Sequence, residues 1–291
     1  MSSPLQWFPA PGKLNLLLHV LGRRDLGPNA DSNAGMHELQ TVFRLIDRSD
    51  RIGIRVRDDA EIRFTGPFGE DNLCARAARL LQSAAGCAKG ADLAIEKTLP
   101  VGGGLGGGSS DAATVLLVLN RLWRTNLKRD ELMALGLRLG ADVPFFVFGN
   151  NALGEGVGER LTGLELGPSW YLVLTPQVPV STKEIFSDAA LTRDAKPLRM
   201  SPFLPGQGRN DLEPVAVRRY PEIAQHLAWL KERSSRASLS PRMTGSGACV
   251  FAEFPREEDA ILLHSELPAA IRGFVARGLE RHPLFEWAND R

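Results

Sequence analysis

The chain has 291 residues, of which 43% are hydrophobic, and its 35 Lys and Arg against 34 Asp and Glu leave a formal net charge of +1. This length allows one large domain or two modest ones with a substantial core. The balanced charge disfavours a nucleic-acid-binding protein, for which a basic face is expected.

The cysteines and the N-terminus indicate the compartment. Three cysteines without C-x-x-C spacing are expected to be buried thiols of a reducing cytosol, rather than a disulfide framework or a zinc site. The opening MSSPLQWFPAPGKLNLLLHVLG lacks a basic n-region, and Lys13 and Asn15 interrupt its apolar run, so no signal peptide is expected. No apolar stretch approaches the roughly 20 residues of a membrane-spanning helix, which predicts a cytoplasmic protein without a membrane partner.

Apolar residues alternate with polar ones along the first half of the chain, which predicts strands. Such alternation is typical of half-buried strands in antiparallel sheets, not of the apolar strands of a doubly wound sheet. The predicted strands cover residues 13–20, 51–58, 61–64 and 91–98. Between the last two, a helix is predicted over residues 71–86, capped by Asp71 and ended by Gly86.

Two further helices are predicted after a run of glycines. The segment SSDAATVLLVLNRLW is apolar on most sides, as a buried helix would be, and KRDELMALGLRLG presents leucines on one face. Pro144 biases Val143 toward extended geometry, so residues 141–144 are predicted to form a turn.

The second half begins with GPSWYLVLTP, which predicts a short apolar strand near Trp170. Residues 196–208 are rich in proline and are predicted to form a loop. The remaining predicted elements are a helix over 220–233, a glycine turn and strand over 242–254, a helix over 256–268 and a strand over 272–280. This strand–helix–strand ending is typical of a split β-α-β sandwich. A boundary near Leu166 gives predicted domains 1–166 and 167–291.

The segment LPVGGGLGGGSSDAA, residues 99–113, has six glycines within seven positions. A flexible linker is disfavoured, because a strand precedes the glycines and a buried helix follows them. Gly102, Gly104 and Gly107 match the dinucleotide pattern G-x-G-x-x-G, but so dense a run matches many patterns, and it does not open a β-α-β unit. The Walker A pattern requires lysine at position 108, where this chain has glycine.

The remaining interpretation is a phosphate cradle, in which backbone N–H groups converge at a helix N-terminus. Ser109 and Ser110 would supply caps or hydroxyl contacts there, whereas Asp111 should point away from a bound phosphate. A nicotinamide-dependent oxidoreductase that uses the glycine run stays open as an alternative from another class of enzyme.

The glycine segment resembles the central signature of the GHMP kinases, and six other segments are similar to that family in the same order. They are APGKLNLLLHV, HELQTVF, DNL, LGADVPFFVFG, GEGVGERL and MTGSGACVFAEF. The resemblance implies an α+β fold in two parts, with a mixed-sheet ATP-binding N-terminal domain and an α/β-sandwich C-terminal domain. It also implies that MTGSGA closes over the site near the phosphates, whereas the residues alone indicate a tight turn.

The doubled glycines and the SSDAA ending are most similar to the GHMP kinases whose substrate is a cytidine diphosphate-linked methylerythritol. The implied activity is ATP-dependent phosphorylation of its 2-hydroxyl in non-mevalonate isoprenoid precursor biosynthesis, with Mg²⁺ accompanying ATP. Homoserine, mevalonate or a sugar is the alternative acceptor within the family. A catalytically inactive binding module is disfavoured, because Lys13 and Asp142 are both present. A monomer or weak homodimer is expected.

The resemblance also implies roles for residues at matching positions. Asp142 is the implied base facing the acceptor hydroxyl, and Lys13 beside it would hold it ionised and stabilise charge on the γ-phosphate. The implied adenine pocket consists of Asn72, Leu73 and Lys97. The implied phosphate-binding residues are Pro100, Val101, Gly102, Gly103, Gly104, Leu105, Gly106, Gly107, Gly108, Ser109 and Ser110. The implied acceptor residues are Asn15, His37, Val157, Thr182 and Phe186. No metal ligand is assigned.

One segment departs from the family's pattern. The family usually has Asp-Gly-Tyr-His, with the tyrosine stacking on cytosine, and this chain has Ala34-Gly35-Met36-His37. Met36 is therefore expected at the base, where its sulfur can still contact a ring. An extended polar loop over residues 22–35 precedes it.

Overall fold

Two long antiparallel strands, β1 (Gln6–Arg23) and β2 (His37–Arg57), form the centre of the molecule. They belong to a computed structural model that describes residues 4–23, 36–69, 71–198, 208–288 and 290. Both strands were predicted, but each is longer than its alternating segment. The expectation of half-burial is wrong for β1: residues 10–20 are all buried, because hydrophobic clusters cover both of its faces.

The first part of the chain adds four strands to this pair. They are β3 (Ile62–Thr65), β4 (Gly90–Glu96), β5 (Ala152–Gly156) and β6 (Arg160–Gly163). β4 pairs with β2 in the antiparallel direction, as predicted. β5 and β6 were not predicted as strands; β5 pairs with β2 and β6 with β5, both antiparallel. β3 and β4 are parallel instead, since a helix connects them and returns the chain in the same direction.

Four helices pack on this sheet: α1 (Leu73–Ala84), α2 (Gly107–Trp123), α3 (Arg129–Leu137) and α4 (Val143–Phe148). The first three were predicted, and residues 110–120 of α2 are buried on every side. Asp71 does not cap α1: the Asn72 side chain accepts hydrogen bonds from the N–H groups of Cys74 and Ala75.

The turn predicted over residues 141–144 is wrong in its second half, where α4 begins. Pro144 lies in the first turn of this helix, a position that needs no N–H partner, so the proline opens the helix instead of excluding it. Ala141 and Asp142 do form a turn, which places Asp142 immediately before α4.

The second part of the chain builds the other end of the sheet. Its elements are β7 (Trp170–Leu174), α5 (Thr182–Ser187), α6 (Glu213–Arg219), α7 (Pro221–Arg233), β8 (Leu239–Met243), β9 (Val250–Phe254), α8 (Glu257–Ser265) and β10 (Gly273–Leu279). The predicted elements near Trp170 and over 220–280 are confirmed, whereas α5, α6 and β8 were not predicted. β10 pairs with both β7 and β2, so the ten strands of the described residues form one connected sheet.

Some predictions lie outside the described residues or are not tested. Most of the proline-rich stretch 196–208 and of the polar loop 22–35 is outside them. The boundary near Leu166, between β6 and β7, stays a prediction.

All three cysteines are unpaired, Cys74 and Cys249 buried as predicted and Cys87 half-buried. None of the described helices is long and apolar enough to cross a bilayer.

Candidate active site

A cleft of about 760 Å³ brings together the residues that the sequence singled out, although they are far apart along the chain. The predicted residues that line it are Lys13, Asn15, Met36, His37, Asn72, Leu73, Lys97, Pro100 to Ser109, Asp142, Val157, Thr182 and Phe186. Ser110 does not line the cleft, and its hydroxyl is buried without a hydrogen-bond partner among the described residues. A role for Ser110 at the phosphates therefore has no support from its position.

The glycine loop takes a backbone path that only glycine adopts easily. Gly102, Gly104 and Gly106 have φ of +70°, +77° and +70°. A Cβ at Gly104 would lie 2.2 Å from the carbonyl oxygen of Thr244. The loop is thus a fixed structure packed against the turn after β8, not a flexible linker.

The loop delivers the chain to the N-terminus of α2, where backbone donors are left without helical partners. Gly106 is the N-cap residue, and no side chain caps it, contrary to the predicted capping by Ser109 or Ser110. The first helical hydrogen bond is from Ser110 N to Gly106 O, at 2.9 Å. The N–H groups before it, together with the helix dipole, form a site for an anion.

A buried charge network lies under this loop. Lys97 Nζ donates to Asp50 and, at 2.8 Å, to Asp111 Oδ2. Asp50 Oδ1 also accepts the backbone N–H groups of Thr98 and Leu99, at 2.6 and 2.8 Å, and so fixes the start of the glycine segment. Asp111 binds Lys97, in line with the expectation that it points away from phosphate. Sequence reasoning missed Asp50, whose only signal was one carboxylate inside a strand.

We expect the free energy of unfolding to depend on pH through the titration of Asp111. Burial raises the pKa of Asp111 to about 7. The attraction of Lys97 opposes this rise, whereas the nearby Asp50 carboxylate adds to it. The folded chain then holds a proton that the unfolded chain releases near its ordinary pKa of 3.8. The free energy of unfolding therefore falls as pH rises from about 4 to 7 and levels off above, by up to about 1.4 kcal/mol per pH unit.

The Asp111→Asn variant should lack this dependence, so its stability relative to the wild type should rise between pH 5 and 7. Urea unfolding at pH 5, 6, 7 and 8 measures the difference. The exposed Asp130→Asn is the control, and its curve should stay parallel to the wild type. If Asp111→Asn also runs parallel, then Asp111 is ionised throughout this range.

Lys13 and Asp142 meet at the middle of the cleft. Lys13 Nζ lies 3.5 Å from Asp142 Oδ2 and donates to Asn15 Oδ1 at 2.5 Å. The Lys13 side chain is 4% exposed, whereas that of Asp142 is 35% exposed. The backbone N–H of Lys13 donates to Leu105 O at 2.9 Å, which ties the lysine to the glycine loop. The pair thus combines a buried, fixed cation with a carboxylate that remains accessible from the cleft.

The far side of the cleft carries aromatic and hydroxyl groups. The rings of His37 and Phe186 lie 4.9 Å apart between centroids, tilted by 38°. Thr182 Oγ1 and Ser246 Oγ are 2.7 Å apart. Met36 is 40% exposed at the mouth of the cleft. This face could hold a flat, polar ring.

Two predicted acceptor residues are more enclosed. Asn15 is buried, and its Nδ2 donates to Thr41 Oγ1 at 2.8 Å while its Oδ1 accepts from Lys13. Val157 is also buried, and its backbone N–H donates to Glu159. Asn15 therefore orients Lys13, in addition to lining the cleft.

The MTGSGA segment forms the turn between β8 and β9, and it packs against the glycine loop. Cys249 N donates to Gly103 O at 3.1 Å, and Thr244 Oγ1 donates to Gly104 O at 3.3 Å. Gly245 and Ser246 line the cleft. The predicted turn is confirmed, and it lies beside the glycine loop. That it closes over the site near the phosphates stays a prediction.

The chain is similar to known proteins over nearly its whole length. A family model described as GHMP kinases N terminal domain matches residues 72–150, and one described as GHMP kinases C terminal matches residues 197–273. The 4-diphosphocytidyl-2-C-methyl-D-erythritol kinase of Nitrosospira multiformis is 51% identical over 284 residues, which cover 96% of this chain and 93% of the relative. The protein of that name from Thiobacillus denitrificans is 53% identical over 286 residues, which cover 97% and 98%.

A solved structure agrees with these relatives. The crystal structure of a 4-(cytidine 5'-diphospho)-2C-methyl-D-erythritol kinase matches with a TM-score of 0.81 at 34% identity, and the match covers 94% of this chain and 99% of that one. The predicted two-part α+β fold is confirmed. The chain belongs to the GHMP kinase family.

Proposed function

We propose that this protein transfers the γ-phosphoryl group of ATP to the 2-hydroxyl of 4-diphosphocytidyl-2-C-methyl-D-erythritol, a step in isoprenoid precursor biosynthesis. The observation that carries the proposal is the position of the Lys13–Asp142 pair, between the glycine loop and the His37–Phe186 face of one cleft. The names of relatives at 51% and 53% identity over nearly the whole chain support this acceptor.

ATP would bind at the glycine end of the cleft. The N-terminus of α2 offers free N–H groups and a positive dipole end to the phosphates. Asn72 and Leu73 begin α1 beside this loop, and Lys97 lies under it, so the adenine would occupy the pocket between them. The hydrophobic rim of Phe64, Phe68 and Val101 suits the face of a base.

Asp142 is the group best placed to take the proton of the acceptor hydroxyl. Among the described residues, the cleft has three groups that could serve as a base: His37, Asp111 and Asp142. Asp111 is bound to Lys97, and burial, with Arg23 and Arg193, lowers the pKa of His37 to about 4. Asp142 is the accessible carboxylate, and a cation stands beside it.

In the reaction, the acceptor oxygen attacks the γ-phosphorus as its proton passes to Asp142, and ADP leaves. The Lys13 ammonium lies beside the carboxylate that takes this proton. It also offsets negative charge on the transferring phosphoryl group, the main contribution that proteins make to such reactions. Asn15 holds Lys13 in place by accepting one of its hydrogen bonds.

Mg²⁺ would accompany ATP and neutralise charge on the phosphate oxygens. This ion is commonly held by substrate phosphates together with one or two carboxylates and water. No group of three His, Cys, Asp or Glu side chains with metal-binding geometry occurs in the part of the chain that the structure describes. In this cleft the ion would be held by the phosphate oxygens of ATP and by water, which leaves Asp142 free to take the proton of the acceptor hydroxyl.

An ATP-consumption assay with three acceptors tests the proposal. We expect turnover with 4-diphosphocytidyl-2-C-methyl-D-erythritol and none above background with homoserine or mevalonate. ATP–Mg²⁺ should raise the melting temperature, whereas NADH should not. Turnover of homoserine or mevalonate alone would show that the acceptor belongs to another class. Stabilisation by NADH but not by ATP–Mg²⁺ would contradict the assignment as a kinase.

A further inference from the structure

Arg193, which follows α5, holds both aromatic rings on the acceptor face without lining the cleft itself. Its Nη2 donates to the carbonyl oxygens of Phe186 and Asp188, at 2.9 and 2.8 Å, and its Nη1 to that of Leu191, at 3.2 Å. Its Nε donates to His37 Nε2 at 3.2 Å. One planar guanidinium thus fixes the end of α5 and the His37 ring together, which a point charge such as lysine could not do.

This contact determines which nitrogen of His37 carries the proton. Nε2 accepts from Arg193 and also from Arg23 Nε, at 3.3 Å. Neither guanidinium can accept a hydrogen bond or lose its proton at ordinary pH, so a proton on Nε2 is excluded. The ring is therefore neutral with its hydrogen on Nδ1, and it is a donor through that atom alone.

A single fixed donor distinguishes two bases of similar shape. N3 of cytosine is an acceptor, whereas N3 of uracil carries a hydrogen and is a donor. A donor of fixed position pairs with the first and leaves two N–H groups facing each other with the second. Sites that are built to hydrogen-bond a substrate discriminate strongly against an analogue that leaves the group unpaired.

We propose that Arg193 is a positioning residue that fixes His37 as an Nδ1–H donor and thereby sets the preference for a cytidine over a uridine acceptor. The substrate named in this inference depends on the proposed function, whereas the effect of Arg193 on His37 does not. Arg193 outweighs Arg23 in this role, because three backbone carbonyls anchor its guanidinium whereas Arg23 is exposed at the end of β1.

The test compares Arg193→Met with Arg218→Met. Arg218 lies on α6 and binds Asp188 Oδ1 at 2.7 Å, so it supports the same segment without contacting His37. Arg193→Met should raise the KM of the cytidyl substrate by about tenfold, the loss expected for one hydrogen bond, with kcat within about threefold. The ratio of kcat/KM for cytidyl over uridyl acceptor should fall by a similar factor. Arg218→Met should change neither.

The state of His37 is a second readout that does not depend on the acceptor. In ¹⁵N NMR spectra the wild type should show Nδ1 protonated, with the pKa held near 4 by burial and by Arg23 and Arg193. In Arg193→Met both tautomers should appear and the pKa should move up toward 6.5. Arg193→Lys keeps the charge but not the fork, so it should show both tautomers while the pKa of His37 stays lowered. Circular dichroism should show both variants folded.

Two results would overturn the proposal. One is an equal loss of cytidyl and uridyl acceptor affinity in Arg193→Met, which would indicate general loosening of the face. The other is an unchanged His37 tautomer in that variant. If the wild type fails to phosphorylate the cytidyl substrate while the His37 signals change as expected, then the proposed function fails and the positioning role stands.

Discussion

The Asp142→Asn variant should lose about 10²–10⁴-fold in kcat, while its affinity for ATP stays within about threefold of the wild type. The amide keeps the shape of the carboxylate but cannot accept the proton of the acceptor hydroxyl. No other accessible carboxylate of the described residues lines the cleft, since Asp111 is buried against Lys97. ATP affinity should persist because the glycine loop and the N-terminus of α2 are not altered.

Steady-state kinetics with saturating ATP measure the loss, and calorimetry measures nucleotide affinity. Asp130→Asn is the matched control: it makes the same chemical change at an exposed carboxylate in the first turn of α3. This control should keep wild-type kcat. An Asp142→Asn enzyme that retains more than about a third of wild-type kcat would show that another group takes the proton.

The Gly108→Val variant should bind ATP at least about 100-fold more weakly and still fold, a loss of about 2.7 kcal/mol in binding free energy. Gly108 lies in the first turn of α2 and lines the cleft. A Cβ there meets only Leu73 Cδ1, at 3.5 Å, so the side chain has room in the free protein. It would occupy the space in which phosphate approaches the backbone N–H groups.

Gly108 is a better test than Gly106. Gly106 has φ of +70°, and a Cβ there would lie 2.9 Å from Phe146, so a valine would also strain the fold. Gly163→Val is the control for adding a valine where the structure has room. Gly163 lies on the exposed strand β6, and a Cβ there would meet only Phe148 Cζ, at 3.8 Å. Calorimetry with ATP and thermal unfolding separate the two effects. Unchanged ATP affinity in a folded Gly108→Val protein would leave the loop with a structural role alone.

The local sequence was sufficient for much of the architecture. Alternation located β3 and β4 and parts of β1 and β2, and the apolar run after the glycines located α2, because periodic burial of one face is a property of a few neighbouring residues. The same local logic failed at α4. A proline such as Pro144 can either break a helix in its interior or begin one in its first turn. Only the packing of α4 on the core decides between these two structures.

The sequence by itself therefore determined the family, the order of most elements and the glycine loop that leads into α2, since each depends on short motifs with fixed backbone requirements. Tertiary structure decided how the site is tuned. Asp50 reaches Lys97 across 47 positions, and Arg193 reaches His37 across 156. Hydrogen bonds across such separations leave no local pattern, because folding alone brings the partners within reach. The same reason explains why burial of β1 on both faces became visible only once the second half of the chain covered it.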